Sequence, residues 1–284
     1  MKQTIGFIGI GLMGAPMAMR LIDAGYTVHI FNRTKEKCAP LVRKGAILET
    51  SPAEVAARTD VIITMLTNDE ALRSTATQIE STLRKESLHI DCSTVSPSLT
   101  SSLEKEFSQS GRYFLHSPVL GSIPQATDGS LMLFVGGTDE AFAKAETTLK
   151  ILGNRIWRFP RSEQASSMKL IMNSFITGMI GTLSQALVYA DRAGIGGEKV
   201  LEVLNFSALN SVMYQTKGKS ILENNFAPRF FLENLLKDTN LFLRAAQTFS
   251  LKAPISEAMK LVLEQAVLQG LGKEDYSAII KILK

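Results

Sequence analysis

The sequence predicts an α/β protein in two parts: a domain with a doubly wound parallel sheet in residues 1–162 and an all-helical domain in residues 163–284. Two observations support this prediction. Up to about residue 160, short apolar runs alternate with helical patterns, which is typical of a parallel sheet covered by helices on both faces. After Phe159 and Pro160 no strand pattern follows, and one helical pattern succeeds another.

Between residues 1 and 162 the elements are predicted in order. The first run leads into a helix at Ala15–Ala24, and Ser51 followed by Pro52 marks the start of a later helix. Between residues 116 and 137, a break at Pro118 and little helical pattern indicate a strand that reverses direction at the sheet edge. The predicted strands are Ile5–Ile8, Val28–Phe31, Val61–Leu66, Leu88–Asp91, Tyr113–His116, Leu131–Val135 and Ile156–Phe159.

The C-terminal half opens with a helix predicted over Gln164–Ala193, in which Gly178 and Gly181 are small enough to let another helix approach closely. A glycine cluster at Gly194 ends it. A helix of about thirty residues spans ~45 Å, enough to bridge both domains and to leave apolar surface for a second subunit. We therefore expect a homodimer or homotetramer, with the ligand site in the cleft between the domains. Further helices are predicted at Glu198–Leu204, Leu232–Thr248 and Pro254–Leu268.

Composition narrows the function classes. The 284 residues suffice for two domains and a large core, and 45% hydrophobic with 20% charged residues is typical of a soluble globular protein. The net charge of +4 is scattered, which favours small anionic ligands over nucleic acid. We expect no membrane span, because no uninterrupted apolar run is long enough. Cys38 and Cys92 form neither a disulfide framework nor a metal-binding pattern, and without a signal-peptide pattern a cytoplasmic location is expected.

The turn from the first strand into the first helix is rich in glycine. The first glycine permits a tight turn, the second lets a pyrophosphate approach the backbone, and the third lets helix and strand pack closely. The helix N-terminus also favours an anion. Inside a βαβ pattern, the turn predicts a Rossmann dinucleotide-binding site. It reads Gly9-Ile10-Gly11-Leu12-Met13-Gly14.

The end of the second strand indicates which dinucleotide binds. An NAD site usually has Asp or Glu there, whereas this chain has Asn32, Arg33 and Thr34. Arg33 can pair bidentately with a 2′-phosphate and stack on adenine, so NADP(H) is predicted in preference to NAD(H). A solvated loop arginine is the alternative interpretation. Met65 and Leu66, at the carboxyl end of the third strand, are further candidate cofactor contacts.

Four later motifs follow the glycine turn and its continuation Ala15-Pro16-Met17-Ala18. They read Asp91-Cys92-Ser93-Thr94, Pro118-Val119-Leu120-Gly121-Ser122, Lys169-Leu170-Ile171-Met172-Asn173 and Lys237-Asp238. In this order, and over essentially the whole chain, the motifs resemble the β-hydroxyacid dehydrogenase family. That family includes 3-hydroxyisobutyrate dehydrogenase, tartronate semialdehyde reductase and glyoxylate/succinic semialdehyde reductases. The resemblance implies hydride transfer between NADP(H) and a small β-hydroxy acid or semialdehyde.

The resemblance also implies that Lys169 is the general acid/base and that Asn173 contacts the substrate. The two residues are four apart in a predicted helix and so project from one face. An ammonium can stabilise charge on a carbonyl oxygen and donate the proton. From spacing alone, a lysine that reaches water is the commoner interpretation.

The remaining roles come from the same resemblance. Thr94 and Lys237 would contact the cofactor, and the loop around Gly121 and Ser122 would hold the substrate carboxylate. Taken alone, Thr94 could simply cap the helix that begins near Pro97.

Several residues depart from the family pattern near the expected substrate. Leu120 stands where the family usually has serine, so backbone N–H groups and Ser122 are left to hold a small acid, unless the pocket takes a more apolar substrate. His116 replaces an acidic residue and is either a proton-exchanging group or a buried structural one. Glu163 and Ala165 replace glycines. An alternative function is therefore a non-enzymatic NADP(H)-binding interaction protein, whereas a methyltransferase fits the second strand poorly.

Overall fold

The computed structural model describes residues 4–284, and the chain divides into two compact units, one through Lys169 and one from Leu170 to Lys284. The division falls inside a helix, later than the predicted domain boundary after residue 162. The first turns of that helix belong to the first unit because Ser166 Oγ donates a hydrogen bond to the backbone oxygen of Val95, at 2.6 Å.

The first unit contains a nine-stranded sheet. Strands β1, β2, β3, β4, β5 and β6 pair in parallel, whereas β8 runs antiparallel to β6 and β7 and parallel to β9. The strands are β1 Thr4–Ile8, β2 Thr27–Phe31, β3 Ile47–Leu48, β4 Val61–Thr64, β5 Leu88–Asp91, β6 Tyr113–His116, β7 Val119–Leu120, β8 Leu131–Gly136 and β9 Gly153–Phe159.

Sheet order is β3-β2-β1-β4-β5-β6-β8-β7, with β9 on β8. All seven predicted strands are present, and the predicted reversal after residue 116 is confirmed. Adjacent side chains on β1 enter different core clusters, Phe7 on one side and Ile8 on the other. Both faces of the sheet are therefore covered, as the predicted doubly wound fold requires.

Seven helices follow the strands of the first unit: α1 Gly14–Asp23, α2 Ala39–Arg43, α3 Pro52–Arg58, α4 Asp69–Glu80, α5 Pro97–Gln109, α6 Ile123–Asp128 and α7 Asp139–Leu152. Ser51 caps α3 as predicted, since its side chain accepts from Glu54 N. Thr94 does not cap α5. Ser96 takes that place and accepts from Leu99 N.

Helix α8, Ser162–Arg192, leads into α9 Gly197–Asn205, α10 Val212–Leu222, α11 Leu232–Thr248, α12 Pro254–Leu268 and α13 Ile280–Leu283. Short 3₁₀ helices cover Lys35–Cys38, Leu271–Lys273 and Tyr276–Ile279. The four helices predicted in this half are all found, α11 and α12 with the predicted bounds, whereas α10 was not predicted.

Helix α8 is the one described helix that is long and apolar enough, by length and composition, to cross a membrane. The sequence analysis, which considered only uninterrupted apolar runs, did not single out this helix as a possible span. Ile180 and Leu183 pack into the core of the helical unit, and the buried side chains of Asn173 and Thr177 bond to α11. These contacts are those of a core helix in a folded domain, where buried polar groups find protein partners.

Candidate active site

The glycine turn between β1 and α1 needs glycine at two positions. Gly9 has a φ of +101°, and a Cβ there would lie 2.2 Å from the backbone oxygen of Met65. A Cβ on Gly14 would lie 1.9 Å from the oxygen of Gly9. At the exposed Gly11, by contrast, a Cβ would meet no described atom within 4 Å. No side chain caps α1, so a pyrophosphate fits beside Gly11 at the helix N-terminus.

The amide of Asn32 holds this turn to the end of β2. Its Oδ1 accepts a hydrogen bond from Ile10 N at 2.9 Å, and its Nδ2 donates to the oxygen of Thr34 at 2.8 Å. Asn32 therefore organises the backbone around the expected ribose. Arg33 and Thr34 are exposed, and the 3₁₀ helix that follows adds two lysines. This positive surface suits a phosphate.

The loops after β4 and β5 lie at the carboxyl edge of the sheet, where dinucleotides bind. Met65 N donates to the oxygen of Ile8 at 2.9 Å, so this loop adjoins the end of β1. Leu66 N donates to Ser93 Oγ at 2.8 Å and joins the two loops. Thr94, half-buried, is the next residue after Ser93. The structure thus brings the predicted contacts Met65, Leu66 and Thr94 to the edge that carries the glycine turn.

Lys169 belongs to the first unit and is half-buried. One turn earlier on α8, Ser166 donates to the oxygen of Val95, in the loop that also carries Thr94. Residues three apart lie on one side of a helix, and one turn rises about 5.4 Å. The hydrogen bond therefore holds the turn that carries Lys169 near the carboxyl edge of the sheet.

The expected substrate loop follows β7. Gly121 has a φ of +146°, in the region that favours glycine, and Ser122 is the N-cap of α6. The N–H of Ser122 donates to Gln125 Oε1 at 2.9 Å. In this arrangement the Ser122 N–H is used within the chain, and the substrate role of the loop around Gly121 and Ser122 stays a prediction.

The helical unit holds the other two predicted residues. Asn173 Nδ2 donates to Asp238 Oδ2 at 2.6 Å, and Lys237 Nζ lies 2.8 Å from Asp238 Oδ1. Asp238 therefore joins α8 to α11. Asn173 Oδ1 is buried and has no hydrogen-bond partner among residues 4–284.

A buried polar cluster at the ends of β4, β5 and β6 was missed by sequence reasoning. Thr64 Oγ1 and Ser93 Oγ bond to Asp91 Oδ1, at 2.7 and 2.6 Å. His116 Nδ1 lies 3.1 Å from Asp91 Oδ2, and His89 Nε2 lies 2.9 Å from Thr64 Oγ1. We call these five residues the Asp91 network. The signal available in the sequence was a polar residue at the end of each of three strands.

The acid and the histidines of the Asp91 network influence the pKa values of Asp91 and His89. Burial disfavours the protonated ring of His89 and lowers its pKa to about 4, although the Asp91 carboxylate acts in the opposite direction. Burial, the largest single influence, would raise the pKa of Asp91, but the opposing effects of the neighbouring His116, Ser93 and His89 together lower it. At neutral pH, Asp91 is ionised and His89 is neutral. His116 is fully buried beside Asp91, and neither of its ring nitrogens has a hydrogen-bond partner among the described residues.

Both parts of the chain match families of known proteins. Residues 4–160 match a family model described as the NAD binding domain of 6-phosphogluconate dehydrogenase. Residues 164–283 match one described as NAD-binding of NADP-dependent 3-hydroxyisobutyrate dehydrogenase. Chloroplastic glyoxylate/succinic semialdehyde reductase 2 of Arabidopsis thaliana is 34% identical and aligns with 99% of this chain and 79% of its own.

Two further proteins extend the comparison. Mitochondrial 3-hydroxyisobutyrate dehydrogenase of Drosophila melanogaster is 30% identical and aligns with 99% of this chain and 90% of its own. Among solved structures, 3-hydroxyisobutyrate dehydrogenase of Mycobacterium tuberculosis with L-serine is 25% identical. It covers 100% of both chains with a TM-score of 0.90.

Proposed function

Because this chain belongs to the β-hydroxyacid dehydrogenase family and is therefore an NAD(P)-dependent oxidoreductase, we propose that it interconverts a small β-hydroxy acid and its carbonyl form, with NADP(H). The observation that carries this proposal is the hydrogen bond from Ser166 to Val95, which holds the turn of Lys169 near the dinucleotide edge of the sheet. The bound nicotinamide supplies or accepts the hydride.

Lys169 handles the proton in this proposal. When a carbonyl is reduced, its oxygen gains charge, and the Lys169 ammonium stabilises that charge and donates a proton from Nζ. In the oxidative direction, the neutral amine takes the proton of the substrate hydroxyl. Asn173 remains a proposed substrate contact because its Oδ1 is buried and has no partner in the part of the chain that is described.

The Lys169→Ala variant tests the proton transfer. We expect turnover to fall by roughly a hundredfold or more, with the Kd for NADPH nearly unchanged. The substrates to screen are glyoxylate, succinic semialdehyde, tartronate semialdehyde and 3-hydroxyisobutyrate. Lys199→Ala is the matched control, since Lys199 lies on a helix but is exposed and paired with Glu202. Near-normal turnover of Lys169→Ala on any substrate would remove Lys169 from the reaction. Cofactor binding by the wild type without turnover on any of them would favour the non-enzymatic alternative.

We also propose that NADP(H) is preferred over NAD(H). The support is chemical: the amide of Asn32 is used within the turn, and the exposed Arg33 stands beside it, followed by two lysines and one glutamate, Lys35, Lys37 and Glu36. Loss of a charged hydrogen bond of this kind weakens binding by about tenfold or more. Arg33→Ala should therefore raise the Kd for NADPH by this factor and leave that for NADH almost unchanged.

The control for Arg33→Ala is Arg84→Ala, because Arg84 is exposed and lies before β5, at the opposite edge of the sheet. Titrations of both variants with NADPH and NADH decide the role of Arg33. Equal weakening of the two cofactors by Arg33→Ala would contradict it.

A further inference from the structure

We propose that Asp91 is a positioning residue that holds together the loops after β4, β5 and β6 and thereby shapes the nicotinamide side of the cofactor site. The inference deepens the proposed function, on which it rests for the identity of the ligand. Asp91 is fully buried, so it acts through its neighbours rather than by touching the substrate.

The direction of each hydrogen bond around Asp91 follows from donor chemistry. An ionised carboxylate only accepts, so the hydroxyls of Thr64 and Ser93 both donate to it. The single hydroxyl proton of Thr64 is then in use, and His89 must donate to Thr64 from Nε2. Ser93 Oγ in turn accepts the N–H of Leu66. The loop after β4 is thus tied to Asp91 through one serine hydroxyl.

The end of β6 is tied to the same residue. His116 Nδ1 lies 3.1 Å from the second carboxylate oxygen, an ion-pair distance, although neither atom has a hydrogen-bond partner among the described residues. Ser117 N donates to the backbone oxygen of Asp91 at 2.6 Å. The Asp91 carboxylate therefore accepts from Thr64 at the end of β4 and from Ser93 after β5, and its backbone oxygen accepts from Ser117 after β6. Buried donors that lose an acceptor become unsatisfied, which favours a single arrangement of the loops.

The sheet order places this network on one side of the cofactor site. Arg33 follows β2, the glycine turn follows β1, and the Asp91 network lies at the ends of β4, β5 and β6. A dinucleotide with its 2′-phosphate at Arg33 and its pyrophosphate at the turn extends toward the network with its nicotinamide half. A substitution that disrupts the network should therefore weaken binding of the nicotinamide half of the cofactor and leave binding of the adenosine half unchanged.

Two buried serines provide a matched test. Ser93 and Ser117 are both fully buried near strand ends, but Ser117 Oγ has no hydrogen-bond partner among the described residues. We expect Ser93→Ala to raise the Kd for NADPH by about tenfold. The Kd for 2′,5′-ADP, which probes the adenosine half alone, should stay within about twofold. Ser117→Ala should change neither. Thr64→Val should behave like Ser93→Ala, and Thr64→Ser, which keeps the donor, should restore binding.

Nuclear magnetic resonance supplies a readout that does not depend on activity. The proposal expects the neutral Nε2–H form for His89 and a change in the Leu66 amide resonance in Ser93→Ala but not in Ser117→Ala. Equal effects of the two serine variants, equal weakening of NADPH and 2′,5′-ADP, or a wild type that binds no NADPH would overturn the proposal. If the binding pattern is as expected but the wild type turns over no substrate, only the proposed reaction fails.

Discussion

Asn32 shows at the residue scale how one amide can serve a cofactor site without necessarily touching the cofactor. It accepts from Ile10 N and donates to the oxygen of Thr34. A carboxylate in its place could accept but not donate, and it would bring a negative charge next to the expected phosphate. The position was predictable from its distance after the glycines. Its hydrogen bonds were not, because they depend on atoms that the parallel pairing of β1 and β2 brings together.

The Asp91 network was unpredictable for the same reason. Its hydrogen-bonded side chains lie up to 27 residues apart in sequence. Only the strand register, with Thr64 opposite Asp91 and Asp91 opposite His116, places them side by side. In a single sequence, His89 is simply a histidine in an apolar strand. The glycine turn and Lys169, by contrast, belong to contiguous motifs and could be identified without knowledge of the register.

At the scale of elements, helices with a regular apolar pattern were predicted, and elements with an interrupted or very short pattern were missed. Helices α11 and α12 have clear amphipathic patterns and were predicted with their observed bounds. Helix α10 was missed because its buried side includes Lys217 and Gly218, which interrupt the apolar stripe. The buried Lys217 is paired with Asp275 at 2.7 Å, a compensation that no local pattern reveals. Strands β3 and β7 have two residues each and are too short to show alternation.

The two glycines inside α8 provide an element-scale prediction. A Cβ on Gly181 would lie 2.3 Å from Met259 Sδ of α12, so the predicted close helix approach is confirmed there. A Cβ on Gly178 would meet no described atom within 4 Å, so that glycine is not needed for packing within the chain. Alanine favours a helix over glycine by about 1 kcal/mol, whereas overpacking costs about 1–3 kcal/mol.

Gly178→Ala should therefore raise the free energy of unfolding of the helical unit by up to about 1 kcal/mol. Gly181→Ala should gain less stability than Gly178→Ala, because its Cβ must displace the flexible end of the Met259 side chain. Urea unfolding followed by far-UV circular dichroism compares the two, and each serves as the control for the other. Equal stability of the variants would show that Met259 moves aside without strain.

At the scale of the whole molecule, the alternation of patterns was enough to predict a Rossmann sheet followed by helices. Helix α8 runs without a break through the division between the two units, so no change of pattern marks where the first unit ends. A homo-oligomer stays a prediction. Phe206, Val212 and Leu268 are 85–87% exposed in the helical unit, and a second copy would bury such apolar side chains.

The presence of two units also decides how stability can be measured. Trp157 is the single tryptophan of the chain and packs against Phe134 in the first unit, so its fluorescence reports on that unit. The same unit contains His89, whose pKa is lowered to about 4 by burial. Unfolded His89 binds its proton near pH 6.5, so between pH 6.5 and 4 the unfolded state holds more protons. The free energy of unfolding must therefore fall as the pH falls through this window.

We expect the wild type to lose about 2 kcal/mol of stability between pH 7 and pH 5 through His89. His89→Leu removes the titration and should reduce the pH dependence by this amount, even if the variant is less stable at pH 7. The lowered pKa of Asp91 contributes only at more acidic pH, because stability from a depressed carboxyl pKa is lost below its unfolded value. His89 packs against Phe107 and Phe114 of one core cluster, whereas Phe7 lies in the other cluster, so Phe7→Leu controls for destabilisation without titration. Urea unfolding at both pH values, followed by Trp157 fluorescence, makes the comparison. An unchanged pH dependence in His89→Leu would mean that His89 titrates in the folded protein much as it does in the unfolded chain.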